Sequence, residues 1–146
     1  MNRVIKFRYR CTNGTNWIFK VFTLAEICNG MPFEVLSDNP LLNNYRYDGE
    51  DQFSGITDKH GVEIYEGDIC KRILDKNNRF KHEQEWADFW LIEWLDDTCG
   101  FTTTCIGDLE NGKIKKRPLF RNPYSQRFDE MDEVIGNIFE NPELIK

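Results

Sequence analysis

Apolar and polar positions alternate from the start of the chain. Ile5, Phe7 and Tyr9 fall on one face and Val4, Lys6 and Arg8 on the other, the period-two pattern of a half-buried strand. A second run sets Trp17, Phe19 and Val21 against Ile18, Lys20 and Phe22, so both of its faces read as partly covered. Asn13-Gly14 between the runs predicts a type I′ hairpin turn, which needs positive φ at both central positions. Thr23-Leu24-Ala25-Glu26 reads as a capping box with Asn29-Gly30 as its stop, predicting a helix of one or two turns. From Met31 to Gly49 turn residues crowd the sequence, Asp48-Gly49 among them, and predict a loop with one short strand at Phe33 to Leu36.

Further strands are expected at Gln52 to Thr57, Val62 to Tyr65 and Ile69 to Leu74. They are separated by a tight turn at Asp58-Lys59-His60-Gly61 and by Glu66-Gly67-Asp68, where Gly67 supplies a conformation that a residue with Cβ resists. Asp75 to Asn78 forms another turn. Trp86, Trp90 and Trp94 recur at helical spacing, but 90, 92 and 94 also alternate, and Phe89 to Leu95 reads as a strand with the Trp row in the core. Asp96-Asp97 opens the turn into Gly100 to Ile106, whose Phe-Thr-Thr-Thr-Cys-Ile is strongly β in composition. After Asn111-Gly112 the segment to Arg127 contains Pro118 and Pro123 and reads as loop-like. Met131 to Phe139 is the last apolar element, and Asn141-Pro142 caps a terminal helical turn. The expected fold is mainly β (β-rich α+β): a small SH3-like, partly open barrel with an N-terminal hairpin and one or two short helices. Residues 1–146 read as a single domain, with 1–50 as an N-terminal subregion and 51–146 as the barrel-like portion.

The 146 residues include 11 Phe, 5 Tyr and 4 Trp, enough to build a core, and no apolar stretch is long enough for a membrane-spanning helix. Charges interrupt the apolar runs of the N-terminus, so no secretory signal is expected. Five cysteines, Cys11, Cys28, Cys70, Cys99 and Cys105, have no zinc-site spacing and read as buried free thiols of a reducing cytoplasm. Net charge is -6, yet Met1 to Ala25 holds five basic residues and no acid, and Lys113 to Arg127 holds six more, again with no acid. The rest of the chain stands at −17, since eight bases remain there against all 25 acids. Such a bipolar chain suits binding to a protein partner or to a copy of itself. The alternative is a nucleic-acid surface built from Arg8, Arg10, Lys113, Lys115, Lys116, Arg117, Arg121, Tyr124 and Arg127, cations meeting phosphates and aromatics stacking on bases. Pairing of these cations with the protein's own acidic strands is the competing explanation.

No phosphate loop, dinucleotide fingerprint, nucleophile elbow or zinc-protease motif is present, and no cofactor or metal is expected. One constellation remains: Glu63, Tyr65, Glu66 and Asp68, together with Asn137, Glu140 and Asn141. If the two segments meet in space they form a candidate polar-ligand, cation or partner site. Equally, Asp and Asn in such places bond their own turns and caps. A metal-dependent or hydrolytic centre around these carboxylates is the third functional class considered.

Two segments carry a resemblance. Gly55-Ile56-Thr57-Asp58-Lys59-His60-Gly61-Val62-Glu63-Ile64-Tyr65-Glu66-Gly67-Asp68-Ile69 and Glu133-Val134-Ile135-Gly136-Asn137-Ile138-Phe139-Glu140-Asn141-Pro142-Glu143-Leu144 resemble the YopX-like family of small bacteriophage and prophage proteins, whose members also open with a basic strand like Ile5-Lys6-Phe7-Arg8. The close likeness covers about a quarter of the chain, and Lys71 to Asp132 is not matched residue by residue. His60 stands where Asn is usual, Cys70 where Val is usual, and Phe139 where Tyr or His is common. The resemblance implies a mostly β domain of phage or bacterial origin in the host cytoplasm. It implies no activity.

Overall fold

The alternating runs become strands. In a computed structural model, which describes residues 4–32, 36, 40–74, 87–96, 99–110, 113–122 and 133–145, nine strands and one short α-helix account for most of the described chain, and the fold is mainly β. The strands are β1 (Lys6–Thr12), β2 (Trp17–Thr23), β3 (Arg46–Thr57), β4 (Glu63–Tyr65), β5 (Asp68–Ile73), β6 (Ala87–Leu95), β7 (Gly100–Glu110), β8 (Lys113–Asn122) and β9 (Glu133–Asn137). They form two open sheets of order β2-β1-β3-β4 and β8-β7-β6-β5-β9, with no closed barrel among the described residues. The chain divides into two compact units, Met1–Gly55 and Ile56–Lys146, and β3 runs through the boundary.

In the first unit β1 and β2 pair antiparallel in unbroken register from Lys6↔Thr23 to Thr12↔Trp17. The turn sits one residue later than expected. Asn13 donates its N–H to the Asn16 carbonyl (3.3 Å), so Gly14 and Thr15 are the central pair, and Gly14 alone has positive φ (+92°). That is the type II′ pattern, and Asn13 contributes through its side chain, which accepts from the N–H groups of Thr15 and Asn16. The capping box forms as expected. Thr23 Oγ1 accepts from Glu26 N–H and Glu26 accepts from Thr23 N–H (2.7 Å), opening the five-residue α1 (Leu24–Cys28).

Asp48-Gly49 is not a turn but a bulge inside β3. Arg10 faces Gly49 and Cys11 faces Tyr47, leaving Asp48 as the extra residue. Gly49 has φ +134°, and a Cβ there would lie 2.5 Å from the Arg10 guanidinium, which explains why an Asp-Gly pair that reads as punctuation sits mid-strand. Beside the bulge, Asp51 is 2% exposed and receives both Arg8, through Nε (3.1 Å) and Nη2 (3.0 Å), and Arg10. Arg8 also lies over the Phe19 ring at 5.0 Å. The expected strand at Phe33 to Leu36 falls outside the described residues except for Leu36, which is helical and not extended.

In the second unit the five-stranded sheet is buried on both faces. Ile64, Cys70, Trp90 and Ile92 pack on one side, and Ile69, Phe89, Leu91 and Ile106 on the other. This accounts for the dense apolar run of β6, where the two periods competed in the sequence. Trp90 lies in the core as expected, and Arg72 stacks on it (4.9 Å) while pairing with Asp88, its cross-strand neighbour. Lys113 to Asn122, expected as loop-like, is the edge strand β8. Pro118 is tolerated because the register with β7 slips between Cys105↔Phe120 and Gly107↔Lys116, and an edge strand has one side that owes the sheet no N–H. The terminal Pro142–Leu144 turn is 3-10. Of the cysteines, all free, Cys11 and Cys70 are buried as expected and Cys105 half so, but Cys28 and Cys99 are exposed, being placed on a short helix and in a turn that have no core side to offer. The turns expected at Asp75 to Asn78 and at Asn111-Gly112 lie outside the described residues.

Removing Asp51 takes away the buried carboxylate that Arg8 and Arg10 share, and leaves Arg10 its contacts with Asp48. Asp51→Ala is expected to cost about 3–5 kcal/mol, read as a fall in the urea midpoint, with hydrogen exchange accelerating first at the amides of β1.

Candidate functional site

The two segments singled out in the sequence meet. β5 and β9 pair antiparallel, with Asp68 opposite Asn137 and Ile69 opposite Gly136. The link between β4 and β5 turns at Gly67 (φ +81°), whose N–H donates to the Ile92 carbonyl (2.8 Å) and whose carbonyl accepts from Ile138 N–H (2.9 Å). A Cβ at Gly67 would lie 3.1 Å from the Phe139 ring and 3.4 Å from Ile138, so both the backbone angle and the space call for glycine.

Around this crossing the polar side chains bond inward. Asp68, 1% exposed, accepts the N–H of Tyr65 (2.8 Å). Tyr65, itself buried, donates its hydroxyl to Glu63 (2.6 Å). Asn137 accepts from the N–H groups of Phe139 (3.0 Å) and Glu140 (2.9 Å) and donates its amide to the Glu140 carboxylate (2.7 Å). Asn141 does not cap the terminal turn through its side chain. Its Oδ1 accepts Asn137 N–H (3.3 Å) and fills the space beside Gly136 where a Cβ would stand. Glu66 lies half-buried in the same turn. The structure therefore brings Glu63, Tyr65, Glu66, Asp68, Asn137 and Glu140 into one neighbourhood, where these bonds, each within its own segment, shape the turns of a clasp closed between β5 and β9 by the Gly67 backbone.

A residue read only as a turn former completes the clasp. Asp58, 5% exposed, accepts His60 N–H (2.8 Å) and Val62 N–H (2.9 Å) on one oxygen and Val134 N–H (3.0 Å) on the other. Burial works against its ionised form, but the bonds from Val134, Val62 and His60 outweigh it and hold the carboxyl below its ordinary range. The Asp-Lys-His-Gly turn signalled the local half of this arrangement, and nothing in the sequence signalled Val134. Burial, with the charges of Asp68 and Asp58 nearby, pushes the Cys70 thiol far up, so it stays protonated in the core and is no nucleophile. Among the described residues no group of three or more His, Cys, Asp or Glu side chains is arranged to hold a metal ion.

The basic residues fall in different units. Arg8 and Arg10 belong to the first, with side chains 12% exposed and paired with Asp51, Arg10 also with Asp48 (3.5 Å). Lys113, Lys115, Lys116, Arg117 and Arg121 follow one another along β8 in the second, where Lys115 is exposed and stands opposite Asp108. Tyr124 and Arg127 lie outside the described residues. Two features escaped the sequence reading. One is the open edge of β2; the other is a cavity in the first unit walled by Tyr9, Tyr45 and Tyr47, the last two hidden in a stretch that read as loop.

Because Asp58 has a depressed pKa in the folded protein, its stabilising effect is complete above the unfolded value near pH 4 and is lost as the pH falls through the folded value. Asp58→Asn presents an amide to backbone donors and is expected to cost about 1–3 kcal/mol at neutral pH. Its stability profile between neutral pH and pH 3 should also be flatter than that of the unaltered protein, as read by thermal melts across that range.

Among curated proteins no sequence matches this one. Among the described residues no helix is long and apolar enough to cross a membrane. A family model described as YopX protein matches residues 7–146, taking in both clasp segments and the strands between them. With nearly its whole length matched, and with the signature residues forming the junction of its β5 and β9, the chain belongs to the YopX family.

Proposed function

We propose that this protein is a phage- or prophage-encoded accessory module of the host cytoplasm that acts without catalysis, by binding a protein partner or a copy of itself through strand addition at β2. The observation that carries this reading is the contrast among the four sheet edges. β4 and β9 are short, with three and five residues. β8 is long but carries Pro118 and five cations, devices that blunt an edge. β2 has seven residues, WIFKVFT, with no proline, no bulge and one Lys, and it pairs on one side only among the described strands.

The register identifies which groups face outward. Asn13 N–H bonds Asn16 and Leu24 N–H bonds Ile5, so the hydrogen-bonded pairs of this ladder are those of the same parity, including Phe7↔Phe22, Tyr9↔Lys20 and Cys11↔Ile18. The backbone groups of Phe19 and Val21 therefore point away from β1, and Val21 is 46% exposed. An extended segment laid along this edge gains main-chain bonds there and side-chain contacts with the half-buried Phe19. Two copies meeting edge to edge about a two-fold axis satisfy the same groups.

A second reading, nucleic-acid binding, draws on the row of cations along β8 with Lys115 exposed. It predicts salt-sensitive binding to single- or double-stranded DNA or RNA that is lost when Lys115, Lys116 and Arg117 are neutralised together.

Val21→Pro removes an N–H that β1 does not use, so the hairpin is expected to stay folded by circular dichroism while strand addition is blocked. Sedimentation velocity from micromolar to sub-millimolar concentration should show self-association in the unaltered protein and a monomer in Val21→Pro. If the unaltered protein stays monomeric, the two forms are compared as baits in host lysate, and a partner retained equally by both, or by neither, counts against the reading.

A further inference from the structure

The first unit carries an open cavity of about 460 Å³, inside the range of roughly 300–1,000 Å³ usual for small-molecule sites. Its floor is one face of the sheet, where Tyr9 and Cys11 lie two residues apart on β1 and Tyr47 stands opposite Cys11 on β3. The facing wall is Leu36, Leu42 and Tyr45, the last two tied by a bond from Tyr45 N–H to the Leu42 carbonyl (2.8 Å) at the end of the Pro40–Leu42 turn. Tyr9, Cys11 and Tyr47 are thus placed by sheet register, and Leu42 and Tyr45 by a hydrogen-bonded turn.

The chemistry of the lining narrows the occupant. Among the described residues that line it, none carries a charge. On the strands flanking Tyr9, Glu50 and Lys20 stand at register positions on either side of it, both exposed and opposite in sign, so the rim favours neither an anion nor a cation. The Cys11 thiol is 4% exposed, and burial pushes its pKa up, so it contributes as a small apolar group. Polar capacity comes from three tyrosine hydroxyls, each able to donate and accept. The aromatic surface is already arranged. The Tyr9 ring meets Phe22 edge-on (5.3 Å, 90°) and lies 5.8 Å from Tyr47 at a tilt of 39°, while Tyr47 is 55% exposed and offers its ring at the mouth. A flat ring is the shape that adds offset or edge contacts to such a set.

We propose that this cavity is a binding site for an uncharged, planar aromatic small molecule of one or two rings, held by the Tyr9, Tyr45 and Tyr47 rings and oriented by their hydroxyls. The site stands apart from strand addition at β2, and its test is repeated on Val21→Pro so that failure of one reading is not mistaken for failure of the other.

Indole is the probe, followed by amide shifts of the ¹⁵N-labelled full chain and by saturation-transfer NMR. The expected result is saturable binding with Kd on the order of 1 mM or tighter, and shift changes centred on residues 9–11, Leu36 and 42–47. Tyr47→Ala removes one ring and Leu36→Trp fills the space, and each is expected to weaken indole about fivefold or more while circular dichroism stays native. Indole-3-acetate and tryptamine, charged analogues of opposite sign, are expected to bind more weakly than indole. The proposal is overturned by any of three results: no saturable binding, shifts centred elsewhere in the unaltered protein, or tighter binding of either charged analogue. Should both variants lose their fold, the shift map and the analogue series still decide.

Discussion

A single buried carboxylate, that of Asp58, ties together parts of the second unit that lie 76 residues apart. A charge at this depth persists only where hydrogen bonds replace its water, and here two of the three donors come from its own turn while the third is Val134 at the start of β9. Docking of β9 and ionisation of Asp58 thus support one another. The consequence reaches the core. A slip of β9 by one residue would exchange Val134, which packs with Ile64 and Trp90, for Ile135, which packs with Ile69 and Phe89. Gly136 and Asn141 fit one another within the same segment, which fixes the turn that follows β9.

This gives the family signature a physical meaning. Asp58, Gly61, Gly67, Asp68, Gly136, Asn137 and Asn141 are the residues that make the turns and bonds of the clasp. The departures fall where the structure is indifferent to them: His60 contributes its backbone N–H, Cys70 fills an apolar site, and Phe139 lays a ring against Gly67. A signature of this kind specifies how a distant strand is recruited and carries no information about a substrate. The polar residues gathered by the two segments look like a site because directed bonds and binding sites call on the same side chains.

What the sequence made legible follows from range. The β1–β2 hairpin, the Thr23–Glu26 capping box and the positive-φ glycines at 61 and 67 depend on neighbours within a few residues, and each was readable. What failed depended on partners far along the chain. Asp48-Gly49 has the composition of a turn and becomes a bulge only because β1 lies alongside and Arg10 needs the space. Pro118 marks a loop unless its strand is known to be an edge. Pairing of the N-terminal cations with the protein's own acids was one reading open in the sequence, but that Asp51, some forty residues on, is the partner of both Arg8 and Arg10 was not. The polar residues of the two segments were singled out from the sequence, Asp58 only as a turn former, and the bonds they make to one another became visible with the β5–β9 pairing.

The charge asymmetry takes on a different sense once these pairs are in place. Two of the five cations of the N-terminal tract are turned onto Asp51, so that tract is in good part an internal feature, and the surface it leaves at β2 is aromatic and aliphatic more than basic. On β8 the cations remain at an edge, where like charges in sequence repel an incoming strand. The same composition thus works in opposite senses at two edges: where acids neutralise it from within, the neighbouring strand is left open to pairing, and where it lies along the edge itself, pairing is discouraged. Among the described strands β2 is the edge that is neither short nor lined with cations, and the outward backbone groups of Phe19 and Val21 face water or a further strand, which is why the edge, and not the basic tract, carries the proposed role.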